Sequence, residues 1–308
     1  MHTLVTGGAG FIGSHSVEAM LAQGARVRVL DDLSSGFREN LPQHASLEFV
    51  EGDIRDGATV RDAMHDITHV LHLAAQVSVP ESVKAPLHSH SINSAGFLTV
   101  MDAARLAGVQ RMVYASSAAV YGVPVTLPLT EASPVSPLSP YGLEKLSNDH
   151  YAKLYGDLYG FNAVGMRYFN VYGPRQDPSS TYSGVISKFA TWALQGEPFT
   201  IFGDGLQTRD FIYVGDIARA NLAALQSNAR GVINVATGRT VTLLQLADAI
   251  GAAVGRKMEI RHAAAREGDV PHSSVTPTRL RKELGIANPM TLEAGIQRLI
   301  DHLSLAVN

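Results

Sequence analysis

The feature that most limits how this chain can fold is a glycine-rich turn set between a strand and a helix near residue 10. The strand-like run Leu4-Val5-Thr6 passes into Gly7-Gly8-Ala9-Gly10-Phe11-Ile12-Gly13, and helical periodicity follows over about residues 12–23. Glycines at 7, 10 and 13 allow a tight turn and a close approach of backbone to a pyrophosphate. The helix start adds unpaired N–H groups and the positive end of its dipole. Such a triplet means little alone; in the strand–turn–helix context it is informative. Further short apolar runs follow at Val27-Arg28-Val29-Leu30, Leu47-Glu48-Phe49-Val50, Val70-Leu71-His72-Leu73, Met112-Val113-Tyr114-Ala115 and Ala163-Val164-Gly165-Met166-Arg167. Helical stretches near 56–65, 91–107 and 141–158 separate them, and this alternation predicts a doubly wound parallel sheet with helices on both faces.

The second strand ends in Asp31-Asp32, about twenty residues after the glycines, where a carboxylate accepts bonds from ribose hydroxyls. That charge repels a 2′-phosphate and favours NAD over NADP; Arg38 is the one nearby cation that opposes the argument. Asp53 and Leu73-Ala74-Ala75-Gln76 close the third and fourth strands, and both border the cofactor if it lies outside the strands' carboxyl ends. Past residue 170 the alternation weakens. A helix near 215–226, a strand Val232-Ile233-Asn234-Val235 and a helix capped by Thr242 are still readable. The proline-rich residues 124–140 form a long loop of the kind that often serves a site.

Composition removes competing classes. At 308 residues the chain has room for about two units, and 45% hydrophobic against 17% charged residues suits a sizeable core. Twenty-five basic and 28 acidic residues leave a net charge of −3, which disfavours a globally basic nucleic-acid binder. With 7% aromatic residues and no basic stripe among them, nucleic-acid binding has no support. The absence of cysteine excludes disulfides, thiolate metal sites and a cysteine nucleophile. The pairs His69/His72 and His88/His90 have no carboxylate at ligand spacing, so no metal site is assigned. No apolar run spans a bilayer, and Met1-His2-Thr3-Leu4-Val5-Thr6 has no leader-like character, so a soluble, cytoplasmic protein is expected.

Tyr141 and Lys145 make a Tyr-x-x-x-Lys pair on one face of a helix. An ammonium beside a phenol favours phenolate, so the tyrosine pKa is expected to fall below about 10. Such a tyrosine takes a proton from a sugar hydroxyl while hydride leaves to NAD. Ser116-Ser117-Ala118-Ala119-Val120-Tyr121-Gly122, at the end of the fifth strand, puts a hydroxyl at the same sheet edge. These motifs, with Arg167-Tyr168-Phe169-Asn170-Val171-Tyr172-Gly173-Pro174, occur in an order that resembles the extended short-chain dehydrogenase/reductase family, and within it the UDP-glucose 4-epimerase-like nucleotide-sugar enzymes. The resemblance covers nearly the whole chain. It implies a Rossmann-type sheet with a smaller C-terminal substrate-binding domain, and a catalytic trio of Ser117, Tyr141 and Lys145. It implies an NAD site drawing on Gly7, Gly10, Phe11, Ile12, Gly13, Asp31, Asp32, Ser35, Asp53, Ile54, Leu73, Ala74, Ala75, Asn93, Ser116, Tyr168 and Phe169. It also implies UDP-sugar contacts from Asn170, Arg209, Arg266 and Asp269. Val77 stands where some members carry a lysine, and no role is assigned to it.

Within that family, dehydratases resemble Thr-Asp-Glu where this chain has Ser117-Ala118-Ala119, and two methyl groups neither give nor take a proton. Elimination therefore lacks its acid and base, and 4-epimerisation with NAD regenerated each cycle remains. An epimerase of a UDP-uronic acid, a net dehydrogenase or reductase, and a non-enzymatic nucleotide-sugar binder are the alternatives. The expected division is an NAD-binding domain over residues 1–170, rejoined by a segment near 210–236, with residues 171–209 and 237–308 forming the substrate-binding domain. The apolar character of residues 91–107 nearly all round implies a second buried face. The 142–158 helix adds Leu143, Leu146, Tyr151, Leu154, Tyr155 and Leu158, and a homodimer through a four-helix contact is expected, as the resemblance also implies. In the resembled enzymes the residue four past the aspartate of the Arg266-Glu267-Gly268-Asp269 segment borders the sugar's C2 substituent. Here it is Ser273, small enough for an N-acetyl group.

Overall fold

The computed structural model describes residues 1–177, 184–265 and 271–307. Seven parallel strands form the central sheet: β1 (His2–Thr6), β2 (Arg26–Asp31), β3 (Leu47–Glu51), β4 (His69–His72), β5 (Arg111–Ser117), β6 (Ala163–Tyr168) and β7 (Gly231–Val235). Their order is β7-β6-β5-β4-β1-β2-β3, so the chain winds outward from β1 in one direction and then returns to build the other half. That reversal, between β1 and β4, opens a crevice at the carboxyl ends of the strands.

Period-two alternation divides the strand side chains between two cores. Val5, Val29, Val113, Val164 and Ile233 face α1 (Phe11–Ala22) and α6 (Val214–Gln226). Their sequence neighbours Leu4, Leu30, Val70, Met112 and Ala163 face α2 (Gly57–Ala63), α3 (Phe97–Leu106) and α4 (Pro140–Tyr159). A third core joins α5 (Val185–Gln195), α7 (Leu243–Ala253) and α8 (Leu292–Val307) around Phe199, Ile201, Phe211 and Tyr213. The start of α7 is the capped end read from sequence, and Thr242 and Gln245 there form a reciprocal capping box.

One expectation needs correction. Residues 91–107 are helical, but Ser91–Gly96 is a π-helical turn and only Phe97–Leu106 is α. Phe97, Val100, Met101, Ala103 and Ala104 are buried within the chain itself, while Leu106 is exposed. On α4, the other helix of the expected contact, Leu143 and Leu158 are 59% and 62% exposed and Leu154 is also exposed.

The 124–140 loop is tied down at several points. Leu129 bridges to Val275 through two backbone bonds of 2.8 and 2.9 Å, and the Glu131 carboxylate accepts from Asn234 N at 2.9 Å. Three strand pairs that sequence reading passed over organise the second half. They are Asn170–Tyr172 with Phe211–Tyr213, Phe199–Phe202 with Ile260–Ala263, and Thr208–Arg209 with Val241–Thr242. Two to four residues are too few to show a period. Among the described residues no helix is long and apolar enough to cross a membrane.

His72, at the end of β4, is buried against the edge of Phe97, with Nδ1 2.8 Å from Thr6 Oγ1. Burial pushes its pKa from 6.5 down to about 3. The unfolded imidazole protonates near its ordinary value and the folded one does not, so stability is lost as pH falls from 6.5 toward 3. Urea titrations at pH 6.5 and 5 are expected to show wild type losing about 2 kcal/mol more than His72→Asn. Equal losses would mean that the imidazole is not held neutral.

Candidate active site

The glycine turn is shaped by contact distances that leave no room for side chains. A Cβ on Gly7, whose φ is +70°, would stand 2.6 Å from Ala74 N, and one on Gly13 would stand 2.1 Å from Gly7 O. A Cβ on Gly10 would meet Gly7 O at 3.3 Å and, among the described residues outside its chain neighbours, no other atom within 4 Å, so the space over the start of α1 is open on that side. Gly10 caps α1 without a side-chain bond, and no acidic residue occupies the first turn. The helix N–H groups and dipole thus face that space, a set of donors that fits a diphosphate.

Around this cradle, Asp31 accepts from Ala9 N and Leu33 N, both at 2.9 Å, and burial pushes its pKa up. Each of its oxygens keeps a second lone pair for ribose hydroxyls. Asp32 is exposed and accepts from Ser34 N and Oγ at 3.0 and 2.6 Å, with Ser35 exposed beside it. The Arg38 guanidinium stacks 4.8 Å over the Phe49 ring. Asp53 lies two residues beyond β3 and is held by Arg55 at 2.5 and 2.8 Å, which lowers its pKa; Ile54 beside it is buried. Leu73, Ala74 and Ala75 leave β4 half-buried.

Ser117 ends β5, and its Oγ accepts from Ala119 N at 3.1 Å, closing a turn over Ala118–Val120. Tyr141 lies in the first turn of α4, within the influence of the Ser117 hydroxyl. The two elements can meet because Gly142 lacks a Cβ, which would stand 2.8 Å from Ala119 O. Lys145 follows one turn on. Its Nζ donates to Ala115 O at 3.0 Å and sits 5.8 Å from the Tyr141 ring centre. The structure thus brings Ser117, Tyr141 and Lys145 together.

The expected fall in the Tyr141 pKa is not what the chain's own groups produce. Burial pushes the phenol up, the Ser117 hydroxyl pulls it back, and the Glu144 carboxylate adds to the rise. Burial also brings Lys145 down to about 8 against the opposing pull of Asp149 and Glu144. Beneath the lysine, Asp149 accepts from Arg167 Nε at 3.0 Å and Tyr114 OH at 3.1 Å. Arg167 in turn donates to Tyr121 OH at 2.9 Å. Sequence reading passed over Glu144 and Asp149, although the spacing 141, 144, 145, 148, 149 of polar residues on one helix face was available.

Other expected residues are more committed to the protein. Asn93 is 2% exposed and uses its carboxamide on Gln76 N, Gln76 O and Glu144. Ser116 is buried beside Ser117. The Tyr168 hydroxyl donates to Asn221 Oδ1 at 2.6 Å, and Phe169 is buried next to Tyr121. Asn170, Arg209 and Ser273 gather at one place. Asn170 Nδ2 donates to Asp210 O at 2.8 Å, Arg209 Nη1 donates to Thr208 O at 2.9 Å, and Ser273 N donates to Thr208 O at 3.2 Å. Arg266 and Asp269 lie outside the described residues. Among the described residues no group of three or more histidine or acidic side chains is placed to hold a metal ion.

Residues 3–236 match the model of the NAD dependent epimerase/dehydratase family. The UDP-glucose 4-epimerase of Mycolicibacterium smegmatis is 40% identical, with 98% of each chain covered. The UDP-glucose 4-epimerase of Thermus thermophilus, solved in complex with NAD, superposes with a TM-score of 0.90 at 41% identity and 99% coverage of each chain. The UDP-N-acetylglucosamine 4-epimerase of Methanobrevibacter ruminantium, solved in complex with UDP-N-acetylmuramic acid, superposes with a TM-score of 0.95 at 38% identity, covering 99% of this chain and 98% of that one.

Proposed function

The chain belongs to the NAD dependent epimerase/dehydratase family, and from that premise we propose that it is an isomerase, an NAD-dependent 4-epimerase of UDP-hexoses. The observation that carries this reading is Tyr141 brought beside the Ser117 turn and a buried Lys145, with only methyl groups at Ala118 and Ala119. Proton transfer at one sugar hydroxyl is provided for, and elimination is not. NAD held in this cleft would supply the acceptor for hydride from C4 of the sugar and its return to the opposite face of the ketosugar. Tyr141 moves the proton at O4, Ser117 orients that hydroxyl, and Lys145 offers a buried cation and donors to the nicotinamide ribose.

The glycine turn, with Phe11 and Ile12 at the helix start, would hold the diphosphate. Asp31, Asp32 and Ser35 would take the adenosine ribose, and Asp53 and Ile54 would flank the adenine. Leu73–Ala75, Asn93, Ser116, Tyr168 and Phe169 would enclose the nicotinamide half. In this reading residues 1–170, with a returning segment near 210–236, form the cofactor-binding domain, supported by the pairing of β7 with β6. Residues 171–209 and 237–308 bind the UDP-sugar, and with Asn170 at their edge, Arg209, Arg266 and Asp269 would supply contacts to its diphosphate and uridine ribose. A cytoplasmic location accords with where nucleotide sugars are made.

Substrate turnover without added cofactor separates the reading from its alternatives. An epimerase completes many cycles on its bound NAD; a net dehydrogenase stops after one equivalent, and a binding protein forms no product. Tyr141→Phe is expected to retain fold and bound NAD while losing about a hundredfold or more in kcat on UDP-glucose. Near-normal turnover would remove Tyr141 from its role.

Assembly and sugar range extend the reading. Leu143, Leu154 and Leu158 stand exposed along α4, and Leu106 is exposed at the end of α3; the proposed occupant is the same pair of helices from a second copy. Sedimentation at micromolar concentration is expected to give twice the chain mass, and a single-chain mass would refute the dimer. Ser273, half-buried and bonded to the strand that carries Arg209, leaves room for an acetamide at C2. Wild type is therefore expected to turn over UDP-N-acetylglucosamine as well as UDP-glucose. Ser273→Tyr should lose the acetylated sugar selectively, through overpacking of about 1–3 kcal/mol. Equal handling of both sugars by that variant would end the pocket argument.

A further inference from the structure

The motif that carries Tyr141 and Lys145 also carries a carboxylate that the chemistry above leaves idle. Glu144 is 5% exposed, and a charge so buried is costly unless it is hydrogen-bonded. Its Oε2 accepts from Ser89 Oγ at 2.8 Å and from Asn93 Nδ2 at 2.7 Å. Neither donor belongs to α4. Ser89 lies in the short helix Pro86–His90 and Asn93 in the π-helical turn that follows.

Asn93 passes the connection onward. Its Nδ2 also donates to Gln76 O at 2.8 Å, and its Oδ1 accepts from Gln76 N at 2.9 Å. Asn148, one turn beyond Glu144, donates to Asn93 O at 2.9 Å and holds the same turn from below. Gln76 directly continues Leu73-Ala74-Ala75, and Ala74 is the residue packed against Gly7 of the glycine turn. Short bonds therefore connect the helix bearing the reacting phenol to the chain segment bordering the cofactor cradle, and Glu144 is the link on the helix side.

We propose that Glu144 is a positioning residue, which sets the depth of α4 against the β4 exit through Asn93 and so the distance from Tyr141 and Lys145 to the cofactor cradle. Its kinetic consequence rests on the 4-epimerase reading; the geometry does not. The role depends on reach rather than on charge. Two donors converge on one oxygen, and shortening the side chain by one C–C bond withdraws that oxygen by about 1.5 Å, beyond hydrogen-bond range unless α4 moves. A glutamine keeps an acceptor oxygen in place and removes only the charge.

The test compares Glu144→Asp and Glu144→Gln as holoenzymes with wild type. It measures kcat and KM on UDP-glucose and, independently of turnover, the NAD retained per chain after gel filtration. Misplacement of about an ångström costs up to roughly a hundredfold in rate. Glu144→Asp is expected to lose about tenfold or more in kcat with KM changed less than about threefold, and to retain less NAD. Glu144→Gln is expected to stay within about threefold of wild type in all three. A fully active aspartate variant, a glutamine variant as impaired as the aspartate one, or a loss confined to KM would overturn the proposal. Should the aspartate variant fail to fold, the glutamine arm decides. Wild type inactive on UDP-glucose would sink the functional reading instead, and NAD retention would still judge the positioning role.

Discussion

The site depends on a helix whose faces are reversed. A helix covering a sheet normally turns its apolar stripe inward, yet α4 buries Glu144, Lys145, Asn148 and Asp149 and exposes Leu143, Leu154 and Leu158. Buried polar groups must find partners, and each partner fixes a coordinate of the helix. Lys145 fixes it to the β5 backbone at Ala115, Asp149 to Arg167 and Tyr114, and Glu144 and Asn148 to Asn93. Alternating charges, Glu144, Lys145, Asp149 and Arg167, keep the buried set near neutrality. The cost of burial is offset by pairing, as it must be where removing one partner of such an ion pair costs about 3–5 kcal/mol.

The glycine turn imposes the second constraint by excluded volume. Gly7 packs on the β4 exit and Gly13 on Gly7, so β1, the turn and α1 form one rigid unit. Because the same contacts leave the start of α1 without a side-chain cap, the space they create faces the positive end of the helix dipole. The two constraints meet at Ala74 to Gln76, which touches the turn on one side and the Asn93 network on the other. A phenol and an anion cradle on separate elements are thereby held in fixed relation.

Much of this was legible beforehand where several signals agreed. The seven strands show both β-branched composition and bounding turns, and the glycine spacing has few other uses in that context. Reading faltered where one pattern has two physical meanings. The polar stripe at 141, 144, 145, 148 and 149 is also how a solvated face looks. Apolar residues all round 91–107 also have two uses, since Phe97, Val100, Met101, Ala103 and Ala104 fill the chain's own core while Leu106 stays exposed. The pairs around Thr208–Arg209 are too short to carry a period, although they assemble Asn170, Arg209 and Ser273.

The sequence by itself determined the sheet, the cradle and the chemical inventory: local spacing controls strand, turn and helix, and residue identity controls which protons can move. Only the tertiary structure decided which face of α4 is buried and what holds it there. It alone showed that desolvation, which depends on every neighbouring atom, pushes the Tyr141 phenol up. Hydrogen-bond partners such as Glu144 and Asn93 lie 51 residues apart, and the fold closes that separation.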